Sequence, residues 1–161
     1  MVAVGEKVPG GTLFEMTEDG PAPVEAASVF DGKTVALFGV PGAFTPTCHN
    51  AHLPSFISAA ADLRAKGVDE IVCVAVNDPF VMGQWSEISG AKGAGIRMLG
   101  DSDASFTKAM GLEFDGSAVG LGTRAKRFSA LVANGEVKVL NIEDNPGEAV
   151  ATLGEALAGQ I

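Results

Sequence analysis

Cysteine is scarce in this sequence, and so are basic residues. Only Cys48 and Cys73 occur in 161 residues, too few for a disulfide framework; in a reducing compartment such cysteines are buried, catalytic or metal-binding. Eleven lysines and arginines face twenty aspartates and glutamates, for a net charge of −9, which argues against a nucleic-acid surface or an anionic membrane as partner. No apolar run approaches the roughly 20 residues of a membrane span. The N-terminal stretch MVAVGEKVPGG lacks the basic block and following apolar block of a secretory signal, so the chain is expected to be cytoplasmic. Repeats, low-complexity tracts and long linkers are missing too, and residues 1–161 are expected to form a single domain.

With 47% hydrophobic and 19% charged residues, the chain has the composition of a protein that buries a core. The runs 34-TVALFGV-40 and 70-EIVCVAV-76 are apolar without a period of two, as parallel strands buried on both faces would be. Between them the pattern predicts a helix that starts at Pro46, carries Phe56, Ala60 and Leu63 on one face, stops at Lys66-Gly67 and is kinked by Pro54. A second helix opens at 77-NDP-79, has Val81, Trp85 and Ile88 as its stripe, and ends in 89-SGAKGAG-95. A short strand, 96-IRML-99, and a short helix from 101-DSD-103 to Gly111 follow. The segment 127-RFSALVANGEVKVLNI-142 reads as a hairpin, since Asn134-Gly135 suits a type I′ turn. A final helix is expected after Asn145-Pro146, with Val150, Leu153 and Leu157 facing the core. The first 30 or so residues are expected to add a hairpin or loop, with 31-DG-32 as a turn. The order β-α-β, helical insertion, β-β-α, with a right-handed crossover, gives a central mixed sheet flanked by helices. That is an α/β, thioredoxin-like fold with an N-terminal extension.

The stretch 41-PGAFTPTCHNAHLP-54 then falls just past the carboxyl end of the first core strand, where open α/β sheets place their sites. With Thr45 as N-cap and Pro46 as first helical residue, Cys48 is the third, and the Thr45 hydroxyl is expected to accept from the Cys48 backbone N–H. The free amides and the helix dipole both favour a thiolate, with a pKa roughly one to several units below the free value of about 8.5. Cys48, His49 and His52 within one turn also suggest a metal, but the chain offers no second Cys-x-x-Cys or His pair. Cys73, inside IVCVAV, reads as a buried sulfur.

A local dithiol is excluded, because Thr45 holds the place of the first cysteine of a Cys-x-x-Cys. A lone thiolate needs a substrate open to attack at a small atom. A hydroperoxide fits, since attack on its O–O bond yields a sulfenic acid and an alcohol or water. Two other readings stand beside it: a non-catalytic thioredoxin-like binding domain, and an anion binder built on 116-GSAVGLGTRAKR-127. The latter matches neither common glycine-loop phosphate motif.

Pro41, Thr45 and Cys48 match a Pro-x-x-x-Thr-x-x-Cys signature. This run, with HLP after it and then NDPFVM, LGD, LGTRAKRFS and the NG hairpin, resembles the peroxiredoxins, and among them the peroxiredoxin-5 subfamily with its plant type II and bacterial hybrid members. The resemblance runs from about residue 3 to the C-terminus. It implies a thiol peroxidase without metal or organic cofactor, acting on hydrogen peroxide, alkyl hydroperoxides and peroxynitrite. Cys48 matches the peroxidatic nucleophile, Thr45 the hydroxyl that bonds thiolate and peroxide, and Pro41 the shield against water. Arg127 matches the arginine that steadies thiolate and leaving oxygen, with Arg124 and Lys126 as neighbouring alternatives. His52 matches a residue supporting the site. No cysteine lies in 143-EDNPGEAVATL-153, where some members carry a resolving thiol. The regenerating thiol is therefore Cys73 or an external one from glutathione, glutaredoxin or thioredoxin. The family also implies a homodimer through the active-site edge, near Phe44; on residue type alone, Phe44 and Trp85 would both be core residues.

Overall fold

In the computed structural model, which describes residues 1–161, the N-terminal segment forms a hairpin. Strands β1 (Thr12–Thr17) and β2 (Gly20–Glu25) pair antiparallel. A short helix α1 (Ala26–Phe30) and a turn at Asp31-Gly32 lead into β3 (Thr34–Val40). A helical stretch begins at Pro46, opens into a wide π turn over Cys48–His52 and continues as α2 (Leu53–Ala65). The expected kink takes this form. Pro54 has no N–H to donate, and the turn before it widens so that Leu53 N–H bonds the Cys48 carbonyl five residues back.

Strand β4 (Glu70–Ala75) is followed by α3 (Pro79–Ser89), whose N-cap Asp78 accepts from Val81 N–H at 2.9 Å. Its buried face is Pro79, Met82 and Trp85, while Ile88 is 59% exposed, so the expected stripe through Ile88 is corrected. Next come β5 (Ile96–Gly100) and α4 (Ser105–Met110). The buried Asp101 carboxylate caps α4 by accepting from Phe106 and Thr107 N–H. A small sheet of β6 (Glu113–Asp115) and β7 (Thr123–Ala125) precedes the hairpin β8 (Phe128–Ala133) and β9 (Glu136–Ile142). Asn134 and Gly135 sit at φ 48° and 78°, both left-handed as a type I′ turn requires.

The last helix, α5 (Gly154–Ala158), starts eight residues later than Pro146. The expected helix from Asn145 does not form, because Glu143 takes the Val150 and Thr152 N–H groups on its side chain. Val150 is 69% exposed, Leu153 is half-buried and only Leu157 reaches the core.

The main sheet has seven strands in the order β2-β1-β5-β4-β3-β8-β9. Strands β3, β4 and β5 are parallel, and β8 runs antiparallel to β3. The alternation hidden in the apolar runs sorts their side chains to two faces. Ala36, Phe38, Ile71 and Cys73 join the core under α2, α3 and α5, while Val35, Leu37, Val72 and Val74 join the core on the other side. Each large side chain so buried contributes roughly 1.5–3 kcal/mol. Phe38 stacks on Phe56 with ring centroids 4.0 Å apart, so the strand that delivers the site and the helix that carries it are locked together. No helix is long and apolar enough to cross a membrane.

Candidate active site

Strand β3 ends at Val40, and Pro41–Thr45 turn the chain into the Cys48 helix. Thr45 occupies the N-cap position, since its carbonyl accepts the first helical N–H, from His49, at 2.8 Å. Its hydroxyl does not take the expected Cys48 N–H. Instead it donates to the Gly42 carbonyl at 2.8 Å, which bends the loop back on itself and leaves the hydroxyl's lone pairs free. Phe44 is held at φ 64°, a conformation rare outside glycine, and packs on the rings of His49 and Trp85.

Cys48 is completely buried, and Arg127 is 1% exposed. Arg127 Nη2 donates to Cys48 Sγ at 3.1 Å. Its Nη1 donates to His52 Nδ1 at 3.0 Å, and Nε and Nη2 both donate to the Pro146 carbonyl, at 3.1 and 3.0 Å. The His52 imidazole and the Pro146 carbonyl are neutral, and no carboxylate forms an ion pair with Arg127. A buried cation without a counter-charge is costly. The sulfur of Cys48 is the one partner of this guanidinium that is neither an imidazole nor a carbonyl.

His52 reinforces that field by staying neutral. Burial, then the charge of Arg127, push its pKa down from the usual 6.5 to about 3, against the opposing bond to Thr152. Because a guanidinium can only donate, Nδ1 is the acceptor and Nε2 carries the hydrogen that goes to the Thr152 carbonyl, 2.9 Å away. His49 Nδ1 is likewise taken, by Trp85 Nε1–H at 3.0 Å. No three His, Cys, Asp or Glu side chains converge on a point that could hold a metal.

The other sequence-predicted residues divide cleanly. Pro41 is buried at the loop start, and its carbonyl accepts from Arg124 Nη1 at 3.1 Å. Arg124 thus braces the loop without reaching the sulfur; a Cβ on Gly42 would come within 2.5 Å of that guanidinium nitrogen. Lys126 is half-buried and does not touch Cys48. Cys73 lies mid-strand, opposite Phe38 and Met98. Burial pushes its thiol well up, the nearby Cys48 adds to this and Arg127 only partly opposes it. Trp85 is a core residue, whereas Phe44 is 45% exposed. Sequence reasoning missed Glu143, Pro146 and Thr152, although Asn-Pro-Gly is itself a turn signal that counts against a helix there.

A thioredoxin-like sheet in which an interior parallel strand leads to one thiol beside a buried guanidinium defines a class of enzyme, the thiol-dependent oxidoreductases of this fold. A family model described as Redoxin matches residues 3–157. Peroxiredoxin-2C of Oryza sativa subsp. japonica is 49% identical over 144 residues, covering 89% of this chain and 88% of that one. The reduced Prx3 of Vibrio vulnificus, crystallised with hydrogen peroxide, superposes with a TM-score of 0.93 at 45% identity, over 99% of both chains. Peroxiredoxin 5 of Alvinella pompejana gives a TM-score of 0.84 at 31% identity, over 98% of this chain and 96% of that one. The chain belongs to the redoxin family and within it to the peroxiredoxins, and it is a thiol peroxidase.

Proposed function

We propose that Cys48 is the peroxidatic nucleophile and that Arg127, Thr45 and Pro41 serve it. The thiolate attacks one oxygen of the hydroperoxide, an S–O bond forms as the O–O bond breaks, and the departing oxygen leaves with the electron pair and takes a proton from solvent. Cysteine sulfenic acid and an alcohol or water result. Arg127 steadies the thiolate before attack and the charge on the leaving oxygen during it. The free lone pairs of Thr45 accept from the peroxide, and Pro41 keeps water from the sulfur.

Hydrogen peroxide is the first substrate, in keeping with the molecule named in the Vibrio vulnificus neighbour, with alkyl hydroperoxides and peroxynitrite beside it. An external thiol, from glutathione, glutaredoxin or thioredoxin, condenses with the sulfenic acid and expels water. A second thiol then releases Cys48 and leaves as the oxidised disulfide. Such thiols abound in the cytoplasm, which is the proposed location, and the protein works as a homodimer joined near Phe44. Residues 1–161 act as one catalytic domain.

The observation that carries this reading is the 3.1 Å bond from a buried, otherwise uncompensated Arg127 to Cys48. Peroxide consumption coupled to glutathione and glutaredoxin tests it. Cys48→Ser abolishes turnover with the circular dichroism spectrum unchanged, and a serine variant that still consumes peroxide overturns the assignment.

A further inference from the structure

We propose that Glu143 is a positioning residue for the peroxidase reaction: it fixes the loop 143–153 so that the Pro146 carbonyl holds the Arg127 guanidinium against Cys48. The inference rests on the roles given above to Cys48 and Arg127.

The guanidinium is aimed by one carbonyl. Arg127 Nε and Nη2 both donate to Pro146 O, which fixes the plane of the group and leaves the second Nη2 hydrogen for Cys48 Sγ and Nη1 for His52. The aim of the charge therefore depends on where Pro146 is held. Residues 143–153 belong to no helix or strand, so no backbone ladder holds them. A surface cavity of about 360 Å³, lined by Glu143, Asp144, Pro146 and Lys126 among others, lies against the loop, so close packing does not brace it on that side either.

Hydrogen bonds do, and they meet at Glu143. Its Oε1 accepts from Val150 N–H at 2.6 Å, Thr152 N–H at 3.0 Å and the Thr152 hydroxyl at 3.0 Å. Its own N–H donates to the Arg127 carbonyl at 3.0 Å. One side chain thus closes the loop into a ring that starts and ends beside Arg127. Burial alone would raise its carboxyl, but the bonds from Val150 and Thr152 outweigh it and hold the group below its usual range.

A second route leads to the same guanidinium. Thr152, fastened by Glu143, presents its carbonyl to His52 Nε2, and His52 Nδ1 accepts from Arg127. The loop is also pinned to the nucleophile's helix, since the Thr47 hydroxyl donates to the Gly147 carbonyl at 2.7 Å. Glu143 therefore sets both neutral acceptors that orient Arg127 while touching neither the sulfur nor the substrate space.

The test measures two rates by quenched mass spectrometry: oxidation of Cys48 by hydrogen peroxide in a single turnover, and its alkylation by iodoacetamide at pH 6. Displacing a placed group by a fraction of an ångström costs about tenfold or more, and both rates should fall by this order in Glu143→Ala. Glu143→Gln keeps the Oε1 acceptor and should stay within about threefold of wild type on the same argument. A purely structural role would lower the urea midpoint of the alanine variant without slowing folded protein. Should Glu143→Ala not fold, Thr152→Val, which removes one of the three donors, decides by an intermediate loss. Wild-type rates in whichever of these variants folds, or a glutamine variant as slow as alanine, overturn the inference alone. A wild-type Cys48 that does not react with peroxide overturns the underlying reading as well.

Discussion

Arg127 Nη2 lies 3.1 Å from Cys48 Sγ, with both residues out of reach of solvent. A fixed fork and a point charge should perform differently there. Arg127→Lys keeps the cation but cannot donate to sulfur, His52 and Pro146 from one plane. Hydrogen bonds to charged groups are worth ~1.5–3 kcal/mol, so the rate constant for peroxide should fall roughly tenfold to a hundredfold. Arg124→Lys can still donate to Pro41 and should change the rate by less than about threefold. Equal losses at the two positions would show that net charge, not a placed guanidinium, matters.

His52 makes stability depend on pH. Its pKa is about 3 in the folded chain against 6.5 ordinarily, so below pH 6.5 the unfolded chain binds a proton that the folded chain refuses. The stabilisation is complete above pH 6.5 and is lost as pH falls toward 3, at up to ~1.4 kcal/mol per unit for one proton. The urea midpoint of wild type should therefore drop on acidification through this window. His52→Asn, which retains an acceptor for Arg127, should show a shallower drop. Parallel curves would refute the assignment.

Cys73 is expected to be a poor resolving thiol. Its sulfur shares an apolar cluster with Cys48, but burial holds it protonated, and thiol exchange requires a thiolate. Its place within β4, paired with β3 on one side and β5 on the other, also gives its backbone little freedom to move. Cys73→Ser should retain most turnover with glutathione and glutaredoxin. Loss of most activity in that variant would make Cys73 the resolving residue.

Phe44 is 45% exposed and Phe80 66% exposed, apolar surface that a homodimer would cover. Sedimentation velocity at tens of micromolar should give a dimer, and Phe44→Glu should shift it toward monomer. A monomeric wild type at that concentration would remove the proposed assembly.

The parts of the fold legible in the sequence are those whose structure is decided locally or by burial on both faces. Strands β3 and β4 read directly as apolar runs, Asn134-Gly135 marked its turn, and Asp78-Pro79 marked the start of α3. The exposed Ile88 was misplaced because a helical stripe can be drawn through more than one set of positions. Met82 and Trp85, three apart, are what the sheet covers. Residues 143–153 misled for a different reason. Their donors are claimed by a side chain and their carbonyls by Arg127, Thr47 and His52, partners distant in sequence. No local pattern announces such a bargain.

Within the site, Cys48 stood out from its helix-start position alone. Arg127 did not, since Arg124, Lys126 and Arg127 lie within four residues and on residue type each reads as solvated charge. Only the resemblance singled it out. The direction of the Thr45 hydroxyl was missed because the Gly42 carbonyl competes for it within the same turn.

The central claim is that Cys48 itself takes oxygen from peroxide. Intact and peptide mass spectrometry after one equivalent of hydrogen peroxide, without added thiol and with dimedone as trap, tests it directly. The account predicts a gain of one oxygen per chain, trapped on the Cys48 peptide and absent from Cys48→Ser. Oxidation found at Cys73 in place of Cys48, or undiminished in Cys48→Ser, would contradict it.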